Sequence, residues 1–186
     1  GSSGENGKAG IKIINFSEVP SDVLPLIVSL VARVTFSVQQ WTPSELRHPI
    51  ALLCDEAHLY MPQRNMAESA DDISLDIFER IAKEGRKYGA YLGVVTQRPG
   101  ELDPTILSQC STLFAMRLAN DRDQEIIRSA IPDSSISTTS FISSIGNGEA
   151  IAFGEAIAVP MRMKFSRVDQ ARLPKANGLT VKSSDE

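Results

Sequence analysis

The chain has 186 residues, with 19 lysines and arginines against 23 aspartates and glutamates, giving a formal charge of −4. A hydrophobic share of 42% is enough for a packed core and excludes a wholly disordered chain, and the length suits one domain or part of one. The mild acidity offers no global attraction to nucleic acid, and the two cysteines, Cys54 and Cys110, form no disulfide framework and point to a reducing cytoplasm.

Residues 1–10, GSSGENGKAG, read as a flexible leader or a cloning remnant. Gly7-Lys8 suggests a phosphate loop. That motif, G-x-x-x-x-G-K-[ST], would need glycine where Ser2 stands and Ser or Thr where Ala9 stands. Ile11–Phe16, short and rich in β-branched residues, reads as a strand. Pro20, Ser21 and Asp22 are helix-start chemistry, and a helix is expected from Val23 to about Gln40. The longest strongly apolar stretch, Val23–Ala32, holds Pro25 and Ser29 and ends at Arg33. It falls well short of the ~20 residues of a membrane span, so no membrane segment is expected.

After a proline-containing loop, Pro49–Cys54 is a continuous apolar run of the kind seen in buried parallel strands. It ends in Asp55-Glu56. Met61–Asp72 is polar and irregular. Ile73, Ile77 and Ile81 recur every four residues, and Leu75, Phe78 and Ala82 widen the stripe. The pattern predicts an amphipathic helix over about Asp71–Tyr88, with Lys83, Arg86 and Lys87 in its last turns and Gly89 as its C-cap. Tyr91–Thr96 is another apolar strand, followed by the turn Gln97-Arg98-Pro99-Gly100. A short helix over Pro104–Gln109, a strand over Thr112–Leu118 and a helix over Asp121–Ala130 capped by Asn120 come next. Ser134–Ile145 reads as a second helix. Glu149–Phe153 and Ala156–Phe165 form a hairpin around Gly154. Residues 166–186 read as a polar tail.

Strands alternating with helices predict an α/β fold with a mostly parallel sheet covered on both faces. Ligands of such sheets bind at the carboxyl ends of the strands. Those ends carry Asp55-Glu56, Thr96-Gln97-Arg98 and Leu118-Ala119-Asn120. Two adjacent carboxylates at a strand tip suit nucleoside triphosphate hydrolysis. The first holds Mg²⁺, and the second takes the proton of the attacking water. The plainer reading of such a pair is the start of a solvated loop. Gln97 can sense the γ-phosphate or place the water, although glutamine is also ordinary in turns. Arg86 is either a cation complementing a helix C-terminus or an arginine finger reaching a neighbour's nucleotide. Arg117, inside the run FAMRL, is a second candidate. His48 and His58 have no Cys or His cluster around them, so no metal site of that kind is expected. Cys54 reads as a small buried apolar residue.

LLCDEAHLYMP, GRKYGAYLGVVTQRPGELDPTILSQCSTLFAMRLANDRDQ and GNGEAIAFGEAIAVPMRMKF together resemble the HerA family of the HerA/FtsK ATPases, which are RecA-like hexameric DNA translocases. The similarity runs from about Ile11 to Phe165. It implies a partial RecA-like P-loop NTPase core with a C-terminal β-hairpin over residues 11–165. It further implies that ATP and Mg²⁺ are the cofactors, with Asp55 on the Mg²⁺ side, Glu56 as catalytic base, Gln97 as sensor and Arg86 as the trans-acting finger. The family's Walker A loop would lie upstream of the matched blocks. The expectation is therefore the C-terminal half of a motor core, nearly inactive by itself. The implied partners are double-stranded DNA, five further copies in a homohexamer, and a nuclease or antiphage effector subunit. Met61–Asp72, with Gln63, Arg64 and Asn65, is a candidate DNA-facing loop. A conjugation or secretion ATPase and a non-catalytic assembly module are the alternatives.

Overall fold

The structure, a computed structural model, describes residues 10–64, 69–129 and 142–169, with side chains for all of these but 69–73. Helix α1 spans Leu24–Trp41, with Pro25 in its first turn, where a missing N–H costs nothing. It buries Val28, Ala32 and Phe36, four residues apart, against helix α2, Ser69–Glu84. From α2 come the buried Leu75, Ile77, Phe78 and Ile81. The Phe36 ring meets Tyr88 edge-on, with centroids 5.6 Å apart.

The helical pattern expected over Asp71–Tyr88 ends earlier, at Glu84, and continues as one 3-10 turn over Gly85–Tyr88. Gly89 closes that turn in the left-handed region, at φ 67°. A side chain in that conformation is strained by about 1–2 kcal/mol. Gly89→Ala is therefore expected to lower stability by about that amount. A denaturant midpoint no lower than that of the wild type would show that the turn relaxes instead.

Strand β1, Ile50–Cys54, pairs in parallel with β2, Ala90–Val94, and the register runs from Ile50 opposite Ala90 to Cys54 opposite Val94. The two strands therefore end level. Helix α3, Pro104–Ser108, is N-capped by buried Asp103, whose Oδ1 accepts from the N–H groups of Thr105 and Ile106. Strands β3 (Thr112–Ala115), β4 (Glu149–Gly154) and β5 (Met161–Lys164) form a separate antiparallel sheet in that order. Helix α4, Asp121–Ser129, is capped by Asn120, whose Oδ1 accepts from the N–H of Arg122 at 2.9 Å. It docks on the turn after β2 through Gly100 N–H and Asp123 Oδ1, 2.7 Å apart.

Several expectations are corrected. Ile11–Phe16 is not a strand. It has no ladder partner among the described residues, and Ile11 is 93% exposed. The described sheets contribute one parallel and two antiparallel pairings. Among the described residues the β1–β2 pair is covered on one face only, by the helices, and Leu53 on the other face is 75% exposed. Strand β3 stops at Ala115, three residues earlier than expected, because the chain must turn towards the Asn120 cap. Arg117 thus lies outside the strand and is exposed. The hairpin is present, but its second strand begins only at Met161, after a connection over 155–160. Most of the expected Ser134–Ile145 helix, and the tail from residue 170, fall outside the described residues.

Candidate functional site

The level ends of β1 and β2 build the site. Val95 N–H donates to Cys54 O and Ala57 N–H to Val95 O, which stitches the two strand exits together. Between them Glu56 adopts a left-handed backbone, φ 48° and ψ 44°. It is the only described residue other than glycine with positive φ. Such a conformation costs of order 1–3 kcal/mol and persists where the surroundings impose it. Here it turns the chain sharply, and a 3-10 turn over Ala57–Leu59 follows at once. Tyr60 secures the bend, its hydroxyl donating to Asp55 O at 2.7 Å. Burial pushes the tyrosine pKa well above its ordinary value, so this donor keeps its proton.

Three of the four predicted site residues converge. Gln97 Nε2 donates to Glu56 Oε1 at 2.6 Å. Asp55 is exposed beside them, and one of its oxygens accepts the Glu56 N–H at 3.0 Å. Its other oxygen makes no hydrogen bond among the described residues. The fourth residue, Arg86, lies at the opposite end of the parallel pair, before β2 begins. Its side chain is exposed and makes no hydrogen bond or ion pair among the described residues. The alternative, Arg117, is equally exposed just past β3. In the polar loop, Gln63 Nε2 is turned inward to Gly100 O at 2.7 Å, and Arg64 pairs with Glu79 and Asp76 of α2. Asn65 falls outside the described residues.

An open cleft of about 290 Å³ lies at the strand tips, lined by Glu56, His58, Leu59, Gln97 and Arg98. In the sequence His58 has no Cys or His cluster around it to mark it as a ligand, yet it stands in this lining. Its Nδ1 is 3.1 Å from Thr96 Oγ1 and 3.5 Å from Glu56 Oε2. No spacing rule signals this contact, because the sharp bend at Glu56 creates it.

No described cluster of three or more Asp, Glu, His or Cys residues could cage a metal. Mg²⁺ needs no such cage, since it commonly takes one or two carboxylates together with water and phosphate oxygens. An exposed Asp55 with a free oxygen fits that demand. Burial pushes the Cys54 thiol up to about 11, which makes it inert as a nucleophile near neutral pH. No described helix is long and apolar enough to cross a membrane.

The fold matches that of a solved genome packaging NTPase. The genome packaging NTPase of Sulfolobus turreted icosahedral virus 2 superposes with a TM-score of 0.57 in its sulfate complex, covering 76% of this chain and 62% of that one at 13% identity. Its AMPPCP complex gives 0.54, over 72% and 63%, also at 13% identity. The fold is thus that of a partial RecA-like P-loop NTPase core.

No family model matches the chain. Among curated proteins, it is 37% identical over 127 residues to the DNA double-strand break repair helicase HerA of Pyrococcus furiosus, a match covering 68% of this chain and 22% of that protein. It is 32% identical over 163 residues to a probable helicase of Methanocaldococcus jannaschii, covering 86% and 31%. HerA of Sulfolobus acidocaldarius is 27% identical over 163 residues, covering 86% and 32%. The chain belongs to the HerA family. It spans between about a fifth and a third of the length of these curated relatives.

Proposed function

We propose that the protein carrying this chain is an ATP-driven DNA translocase of HerA type, acting in DNA end processing or antiphage defence. Residues 11–165 would be the C-terminal part of its motor core. The observation that carries the reading is the 2.6 Å contact between Gln97 and Glu56 at the level tips of two parallel strands, with Asp55 beside it. Helicase relatives named for double-strand break repair support duplex DNA as the substrate.

Asp55 would hold Mg²⁺ through its free oxygen, and the bound cation would neutralise charge on the β- and γ-phosphates. Glu56 would orient a water in the cleft and take its proton as the water oxygen bonds to the γ-phosphorus. ADP leaves with the electrons of the broken β–γ bridge. Gln97, already bonded to Glu56, would place the same water and register whether a γ-phosphate is present. Arg86, remote from its own Glu56, would serve the next subunit of a homohexamer. A nuclease or effector subunit would complete the assembly.

ATP turnover by the full-length protein, with and without duplex DNA, tests the reading. Stimulation by DNA is expected, and it should weaken as salt rises, because phosphate contacts release counterions. Turnover indifferent to DNA would instead favour the conjugation or secretion alternative. No turnover at all would favour the assembly module.

A further inference from the structure

His58 is nearly buried, its side chain 11% exposed, in a cleft otherwise assigned to hydrolysis. Its Nδ1 faces two oxygens, Thr96 Oγ1 at 3.1 Å and Glu56 Oε2 at 3.5 Å. Glu56 Oε2 is shut off from solvent and makes no hydrogen bond of its own. The carboxylate is thus divided. Oε1 is held by Gln97 at 2.6 Å, and Oε2 is turned inward with only the imidazole before it.

An occluded carboxylate oxygen without a donor is costly. Nδ1 can relieve that cost only if it carries the ring proton, because an ionised carboxylate only accepts. Thr96 is compatible with this tautomer. Its Oγ1 already accepts from the N–H of Arg98 at 3.0 Å and has a second lone pair free to accept from Nδ1. A separation of 3.5 Å is long for a hydrogen bond, but contacts of this kind tighten once substrate is bound.

We propose that His58 is a positioning residue for the hydrolytic step: its Nδ1–H fixes the plane of the Glu56 carboxylate so that Oε1 faces the cleft beside Gln97. The proposal rests on the reading of Glu56 as the base. Two donors on opposite oxygens define the carboxylate rotation, and one donor alone does not. Without His58, Glu56 keeps its chemistry but loses its aim. A small misplacement of a reacting group costs roughly 10²-fold in rate.

The test uses the full-length protein and the variants His58→Ala, His58→Asn and Glu56→Gln, reading kcat and KM for ATP and the equilibrium affinity for ADP. His58→Ala is expected to lower kcat by roughly 10²-fold, with KM and ADP affinity unmoved. His58→Asn places an amide N–H near the position of Nδ1 and should recover most of the loss. Under single-turnover conditions, adding His58→Ala to Glu56→Gln should reduce the rate no further, because the two residues act as one unit. Wild-type turnover in His58→Ala beside an inactive Glu56→Gln would overturn the proposal alone. Faster turnover in His58→Ala would also overturn it, by showing that His58 restrains the base. An equal loss in the Ala and Asn variants, together with lost ADP affinity, would reduce His58 to a support of the fold. Wild-type turnover in Glu56→Gln would overturn the hydrolytic reading, and this proposal with it.

Discussion

Glu56→Gln in the full-length protein is expected to reduce kcat for ATP by about 10²–10⁴-fold, the usual contribution of a positioned base, while nucleotide binding persists. The substitution keeps the size and planarity of the side chain. It also keeps an oxygen that can accept from Gln97 Nε2, so the 2.6 Å contact survives. Only the ability to take a proton is removed. The backbone around it should not respond, since the Val95 and Ala57 N–H bonds and the Tyr60 hydroxyl hold the bend through main-chain atoms. Loss of turnover with retained binding therefore isolates the proton transfer. Hydrolysis at the wild-type rate would remove Glu56 from the chemistry and leave the left-handed turn as a purely architectural device. Loss of nucleotide binding along with turnover would point to a role in holding the phosphates.

The sequence carries much of the architecture around this site. Pro49–Cys54 and Tyr91–Thr96 are continuous apolar runs, and both are strands in parallel register, with bounds shifted by a residue or two. What it does not carry is relative height. Glu56 and Gln97 meet because β1 and β2 end level, and register comes from packing that neither strand encodes alone. His58 was invisible for a related reason. Its place depends on the positive φ of Glu56, and glutamate gives no local signal of that conformation. Several apolar segments share one physical feature: apolar composition reports that a surface wants cover, not that cover is present. Ile11–Phe16 has strand composition but no partner strand among the described residues. Leu26, Leu30, Val34 and Trp41 line an outer face of α1 that is more than half exposed, opposite Val28, Ala32 and Phe36. A helix apolar on two faces ordinarily belongs between two layers, and among the described residues only one layer packs on it. Leu53 and Tyr91 do the same for the outer face of β1 and β2.

Arg86→Ala is expected to have the largest effect, about 10³–10⁵-fold per site if the residue acts as a finger, and to act on the neighbouring subunit rather than its own. Arg86 precedes β2, whereas Glu56 and Gln97 follow the ends of β1 and β2. Five strand residues separate those ends, about 16 Å at 3.3 Å per residue. Helix α2 and the cap at Gly89 fix where the arginine leaves the fold. The other cations nearby are engaged. Lys83 pairs with Glu79 at 3.0 Å, Arg47 lies over the Tyr88 ring with its guanidinium bonded to Thr42 O, and Arg80 lies over Phe36. A guanidinium left exposed at the wrong end of its own sheet suits an anion presented by another copy. Mixing Arg86→Ala subunits with Glu56→Gln subunits, each inactive alone, separates the cases. In trans, a Glu56→Gln subunit lends its intact Arg86 to a neighbour that retains Glu56, so turnover should reappear on mixing. A mixture as inactive as its two components would assign Arg86 a structural or cis role. The same mixing with Arg117→Ala then decides whether that exposed arginine past β3 supplies the trans charge instead. Arg86→Lys should not rescue, because an ammonium cannot reproduce the paired donors with which a guanidinium meets two phosphate oxygens at once.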